Sequence, residues 1–392
     1  MPLLAIDVDR ARAETPGAER ACHLNNAGAA LMPAPVVDAL QDHVRLEAEI
    51  GGYEAAEEAA DALEHAYDAL ARLVHCARDE IAIVDSATSG WRMPFYSIPF
   101  APGDRILTAV SEYGSNFIAF LQVARRTGAV IDVIPSDDDG AIDLDALAGA
   151  IDGRVKLIAL THAPTNGGLL QPAAEVGRIA RAHGIPFILD ACQSAGQVPL
   201  DVDALGCDIL SATGRKFLRG PRAIGFVYVR RELCARLEPP LVDGHAATWT
   251  EPDAFRLRDD ARRFEACERS CAGQIALGVA ADYALGWGLD SIRARVDGLA
   301  SLLRARLAER AGVTVHDQGR ERTGIVTFSV AGHDPAAVRR TLAAAGVRVW
   351  SPAPHWWLLD RRVRDLPPLV RASVHYYNTE DEIARAVDAL PR

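Results

Sequence analysis

The sequence predicts an α/β fold with a large, mainly parallel sheet domain of the seven-stranded type and a small C-terminal α/β domain. Three observations predict it. Short apolar runs of strand length recur between residues 80 and 230. Stretches with 3.6-residue apolar spacing, such as Ala173–His183, lie between them. Each run ends in small polar residues, as expected at the carboxyl ends of parallel strands, where such sheets bind ligands.

Taken in order, Ile81–Asp85 leads to Ser-Ala-Thr-Ser-Gly90, and Arg105–Val110 to Ser-Glu-Tyr-Gly-Ser-Asn116. Val130–Pro135 follows. Val155–His162 leads to Ala-Pro-Thr-Asn-Gly-Gly168, and Pro186–Asp190 to Ala-Cys-Gln-Ser194. Ile209–Ala212 precedes Lys216, and Ile224–Val229 reads as a last strand of the large sheet. A helix over Ser291–Arg310 introduces the second unit. There, strand Gly324–Val330, helix Asp334–Ala345, strands Val347–Trp350 and Leu369–Tyr376 and helix Thr379–Leu390 are expected, with Thr379 as N-cap. The division is an N-terminal arm (1–30), a large domain (31–285) and a small domain (286–392).

The bulk numbers restrict function. At 49% hydrophobic and 24% charged residues, the chain has the composition of a soluble globular protein. A net charge of −11 speaks against a nucleic-acid partner. No apolar run reaches membrane-spanning length, and the N-terminus lacks the pattern of a signal peptide, so a cytoplasmic location is expected. The seven cysteines are scattered without a CxxC pair and are expected to be reduced. Cys267 and Cys271 stand four apart, on one face of an expected helix, with no sequence neighbour to complete a metal set.

Only two of the 42 basic residues are lysines, Lys156 and Lys216. Unlike arginine, a lysine amine can lose its proton and condense with a carbonyl. Lys156 stands at a strand entrance, the position of a solvated side chain. Lys216 stands between an apolar run and Gly220-Pro221, with Asp190 ending the preceding strand. A lone lysine and a strand-end carboxylate are what pyridoxal 5'-phosphate requires. The lysine holds its aldehyde, and the carboxylate keeps its pyridine nitrogen protonated. Thr88 and Ser89, opening an expected helix, offer a phosphate site, to which Thr213 and Arg215 add a hydroxyl and a charge. Arg371 is a charge inside an apolar strand and suits the carboxylate of an amino-acid substrate. A structural ion pair is its alternative reading, as a packed aromatic is for Tyr113 and a simple helix cap for Thr88 and Ser89.

On Phe187-Ile-Leu-Asp-Ala-Cys-Gln-Ser-Ala-Gly196 and Asp208-Ile-Leu-Ser-Ala-Thr-Gly-Arg-Lys216 with Gly220-Pro221, the chain resembles the class V aminotransferase group of PLP enzymes. That group includes cysteine desulfurases, selenocysteine lyases, isopenicillin N epimerase and the ergothioneine-pathway C–S lyase. The resemblance runs from His23 to Leu390 and implies a type I PLP fold and a homodimer. It implies Lys216 as the Schiff-base lysine, Asp190 at the pyridine nitrogen and Gln193 at the phenolic oxygen. It implies Thr88, Thr213 and Arg215 on the phosphate side, and Tyr113 stacked on the ring. Asn166 or its neighbour Thr165 lies beside the cofactor, and Arg371 and Asn26 lie at the substrate.

Two departures stand out. Desulfurases of this group carry a mobile cysteine shortly before the carboxylate arginine. The corresponding stretch here, Val349–Trp357, has none, and no cysteine follows Cys271. Glu268 occupies a position where relatives offer a threonine to the partner's phosphate. The resulting expectation is a PLP enzyme acting at Cα of a small amino acid, as a C–S β-lyase that releases pyruvate and ammonia and forms no persulfide. An epimerase, an aminotransferase and a non-catalytic sensing domain are the alternatives. Trp350, Trp356 and Trp357 pack the core or wall the substrate mouth.

Overall fold

A computed structural model describes residues 5–391. The large sheet contains β2 to β8, and strand β1 (Cys22–His23) lies apart from it. The seven strands are β2 (Ile81–Val84), β3 (Arg105–Ala109), β4 (Val130–Ile134), β5 (Val155–Thr161), β6 (Phe187–Asp190), β7 (Ile209–Thr213) and β8 (Gly225–Val229). Their spatial order is β2-β8-β7-β6-β5-β3-β4, all parallel except β8, which runs antiparallel to both its neighbours. The central strands are fully buried, as their unbroken apolar runs require of a sheet covered on both faces. Helices such as Ala173–Ala182 cover it. Gly177 lets that helix reach the carbonyl of Leu205, because a Cβ there would stand 2.0 Å from Leu205 O.

Register sets the site. Thr161 pairs with Asp190, and Asp190 with Ser211, so three strand ends present their residues in one row. The Lys216 turn follows β7 directly. It is closed by Gly220 N–H donating to Gly214 O and Arg219 N–H to Lys216 O. At Gly196 (φ +91°), in the loop after β6, a Cβ would stand 2.4 Å from the backbone of Phe217 and Leu218, so only glycine lets the Asp190 and Lys216 loops meet.

A hairpin of β9 (Ala247–Glu251) and β10 (Ala254–Leu257) projects from the large domain, carrying exposed Trp249 and Phe255. After helix Leu289–Ala308 comes a three-stranded antiparallel sheet of β11 (Val313–Val315), β12 (Ile325–Val330) and β14 (Val370–Ser373). β11 is too short to show a pattern in the sequence. The expected strand Val347–Trp350 shrinks to β13 (Val347–Arg348), which pairs in parallel with β1 of the N-terminal arm. Trp350 forms only a single bridge to Arg371. Thr379 does cap the last helix, in a capping box with Glu382. Among the described residues no helix is long and apolar enough to cross a membrane.

Candidate active site

At the carboxyl ends of β5, β6 and β7 a cleft of about 100 Å³ opens. Thr88, Tyr113, Thr165, Asp190, Gln193, Thr213, Arg215 and Lys216 all line it, although they come from five separate segments. Lys216 is half-buried there. Desolvation, with a smaller contribution from Arg215, lowers its pKa, so the neutral, nucleophilic amine is favoured. Asp190 is held on both oxygens: Oδ1 accepts from Cys192 N–H at 2.9 Å and Oδ2 from Asn116 Nδ2 at 2.9 Å. Burial, then Asp190, push the neighbouring Cys192 thiol well up, so it stays protonated and unreactive.

At one end of the cleft, helix Ala87–Ser97 begins. Ser86 caps it by accepting from Ser89 N–H, which leaves the N–H groups of Ala87 and Thr88 free of intrahelical acceptors. Thr88 lines the cleft; Ser89 instead bonds Ser86 and lines the adjoining cavity, together with Glu268. Those free N–H groups, the two threonines and the helix dipole suit a phosphate.

Behind Thr165, one of the lining residues, lies Arg371. Its NH1 donates to Thr165 O (3.1 Å) and Oγ1 (2.7 Å), and its NH2 to Asn25 Oδ1 (3.4 Å). Nε has no partner, and no carboxylate among the described residues pairs with this buried guanidinium. Burial, then the nearby Arg215 charge, lower it to about 10. Neither Arg371 nor the nearby Arg215 has a carboxylate paired with it among the described residues, so an anion can be received between them.

Tyr113 caps the helix Gly114–Thr127, and its ring stacks on Trp356, with centroids 5.9 Å apart and planes 9° from parallel. His162 and His375 are not available as bases. His375 Nδ1 accepts from Tyr376 N–H, so Nε2 carries the proton and donates to Phe217 O. Burial lowers both histidines, His162 to about 4.

Two expected residues are placed elsewhere. Asn26 is fully buried with its amide committed: Nδ2 donates to Ser373 O, and Oδ1 accepts from Tyr377 O–H. Its neighbour Asn25 is the one beside Arg371. Asn166 is buried outside the cleft lining, and its amide has no partner; Thr165 is the residue that lines the cleft. Thr165 Oγ1 accepts from both Arg371 and Gln193, which frees its own proton to donate into the cleft. Gln193 Nε2 is already taken by Ala27 O and Thr165.

Sequence reasoning missed Glu112, Asn116 and Arg219. Arg219, fully buried at φ +62°, ties the Lys216 turn to Leu31 O, Thr15 and Tyr376. Its signal was a charge flanking the lysine turn. Cys267 and Cys271 do not share a helix, because the helix begins at Cys271. Cys271 instead meets His43 and Glu47, with all three ligand atoms within 4.8 Å.

A lysine of lowered pKa, a strand-end carboxylate and a helix N-terminus around one cleft, with an arginine that no carboxylate pairs beside it, define a class, the PLP-dependent enzymes. The chain belongs to the class V aminotransferase family, whose model matches residues 22–386. It is 31% identical over 400 residues to a probable cysteine desulfurase of Halobacterium salinarum, covering 98% of this chain and 96% of that one. It is 30% identical over 411 residues to a cysteine desulfurase of Dickeya dadantii, covering 100% and 98%. The structure superposes on the cysteine desulfurase CsdA of Escherichia coli with a TM-score of 0.91, at 25% identity and 98% coverage of both chains. The cystine C–S lyase C-DES shares the fold, with a TM-score of 0.86 at 22% identity and 96% and 100% coverage.

Proposed function

We propose that the chain is a pyridoxal 5'-phosphate-dependent C–S β-lyase that releases pyruvate and ammonia from a small sulfur-bearing amino acid and works as a homodimer. The observation that carries the amino-acid reading is Arg371, buried without a carboxylate partner against Thr165 of the cleft that Lys216 lines. The fork of a guanidinium matches a carboxylate, and Arg215 adds positive field.

When bound, the cofactor supplies an electron sink for negative charge developing at the substrate Cα. Lys216 would hold its aldehyde and Asp190 its ring nitrogen. Tyr113 would cover the ring, while Thr88, Thr213 and the N–H groups of Ala87 and Thr88 would hold the phosphate. Thr165 O–H is free to take the phenolic oxygen, the contact first expected of Gln193. Arg371 fixes the substrate carboxylate and so turns the Cα–H bond toward Lys216. Nζ, whose pKa burial lowers, takes that proton. Loss of the proton and of the β-sulfur leaving group, with addition of water, gives pyruvate and ammonia.

Two features favour the lyase over sulfur transfer to an enzyme cysteine. Segment 349–357 has no cysteine, and Trp356 pins it to Tyr113. Cys192, which lines the cleft, is held as the thiol. Relatives at 30–31% identity are named cysteine desulfurases, whose substrate also carries sulfur at Cβ. Proton NMR of the holoenzyme in D2O, with cysteine S-conjugates and other amino acids, tests the reading. Pyruvate without an added keto acid is expected. Loss of the Cα proton signal without pyruvate would identify an epimerase or a half-transamination instead.

A further inference from the structure

Glu112 is a carboxyl that no cation pairs with, only 5% exposed, two residues before the helix that Tyr113 caps. Such a group is costly to bury. Four donors surround it. Oε1 accepts from Tyr113 N–H (2.8 Å), Asn116 Nδ2 (2.9 Å) and Thr161 O–H, and Oε2 accepts from Thr108 O–H (3.0 Å). Asn116 spends both of its amide hydrogens on carboxylates, one on Glu112 and one on Asp190. Turning that amide over would aim its oxygen at both, so only one orientation is stable. The Asp190 carboxylate plane is thereby fixed by two anchors, Cys192 N–H and Asn116, and the second anchor is itself held by Glu112.

We propose that Glu112 and Asn116 are positioning residues that set the orientation of Asp190 and tie it to Tyr113. One carboxyl thus holds both groups between which the cofactor ring would sit: the backbone N–H of Tyr113 directly, and Asp190 through one amide. Register supports this, because Thr161 stands beside Asp190 across β5 and β6 and donates to the same Glu112 oxygen. Burial, opposed by the hydrogen bonds from Thr161 and Asn116 and aided by the proximity of Asp190, raises the Glu112 pKa.

The inference rests on the cofactor reading, and its test separates the two. The visible absorbance of the bound cofactor is titrated against pH in the holoenzyme and in Asn116→Ala, Glu112→Ala and Glu112→Gln. A misaligned Asp190 holds the ring-nitrogen proton less well, and a less positive ring keeps the imine protonated to higher pH. The midpoint should therefore rise by about one pH unit in both alanine variants. Glu112→Gln keeps the accepting oxygen and should stay near the unmutated midpoint, which a merely destabilising site would not distinguish. If one alanine variant fails to fold, the other carries the test. Alanine midpoints unchanged, with Lys216→Ala losing the band, would overturn the inference and leave the cofactor reading standing. A band that persists in Lys216→Ala would overturn the cofactor reading itself.

Discussion

The rings of Tyr113 and Trp356 lie 9° from parallel with centroids 5.9 Å apart, and Gly114 makes the approach possible. A Cβ at Gly114 would stand 3.0 Å from Trp356 O and 3.2 Å from His355 O, both backbone atoms that cannot swing aside. Trp356 therefore backs one face of Tyr113 and leaves the other to the cleft. Trp356→Leu removes a stacking contact of about 0.5–1.5 kcal/mol and frees the Tyr113 ring. The expected outcome is a fall in kcat/KM of roughly 3- to 10-fold with the fold intact, seen by steady-state kinetics beside a thermal melt. Gly114→Ala should act in the same direction by displacing segment 355–357. Unchanged kinetics in both would mean that the segment does not touch the working site.

Arg371 makes every one of its hydrogen bonds to a neutral acceptor. A substrate carboxylate would gain two charge-assisted bonds, each worth about 1.5–3 kcal/mol. Arg371→Ala should lower kcat/KM by roughly 10²- to 10⁴-fold. Arg371→Lys keeps the charge but not the fork and should recover only part of the loss. An amine substrate lacking the carboxylate should be indifferent to both changes. Comparing such a pair of substrates tells a carboxylate clamp from a structural ion.

Much of this site was legible because its parts carry strong local signals. Asp190 ends an apolar strand, and Lys216 stands out in a lysine-poor chain. The large-sheet strands announced themselves by unbroken apolar runs, whereas the reversed direction of β8 is set by a tight return after Pro221 that no periodicity encodes. Asn25 rather than Asn26 bonds Arg371, and of Thr165 and Asn166, between which the sequence leaves the choice open, Thr165 lines the cleft, because a loop's side-chain direction depends on its dihedrals and not on its spacing. Glu112 and Asn116 were visible as residues but not as partners. Their link to Asp190 crosses 74 positions and exists only in the register of the sheet.

Lys216 has its pKa lowered from 10.5 by burial. Without cofactor, the unfolded chain binds a proton that the folded chain holds less tightly, so this group costs stability below its unfolded pKa. The cost shrinks as pH rises from the folded pKa toward 10.5. Apo Lys216→Met should therefore melt higher than the apo unmutated protein at pH 7, and the gap should close as pH approaches 10. Thermal melts of both apo proteins across that range check it. A constant gap would show a packing effect and no buried amine.

His162 behaves in the same sense at lower pH. Its Nδ1 lies 3.0 Å from Ser194 Oγ, its backbone N–H donates to Asp190 O, and burial lowers it from 6.5 to about 4. The unfolded chain protonates this histidine first, so stability falls as pH drops from about 6.5 to about 4, by roughly 3 kcal/mol at the lower end. His162→Gln cannot titrate, and its amide can still reach Ser194. The difference in unfolding free energy between the two proteins should be flat above pH 7. It should then move by about that amount in favour of the variant as pH falls to 4. Urea titrations at several pH values measure it. Parallel curves would place the imidazole in water, and with it the end of β5 beside Asp190.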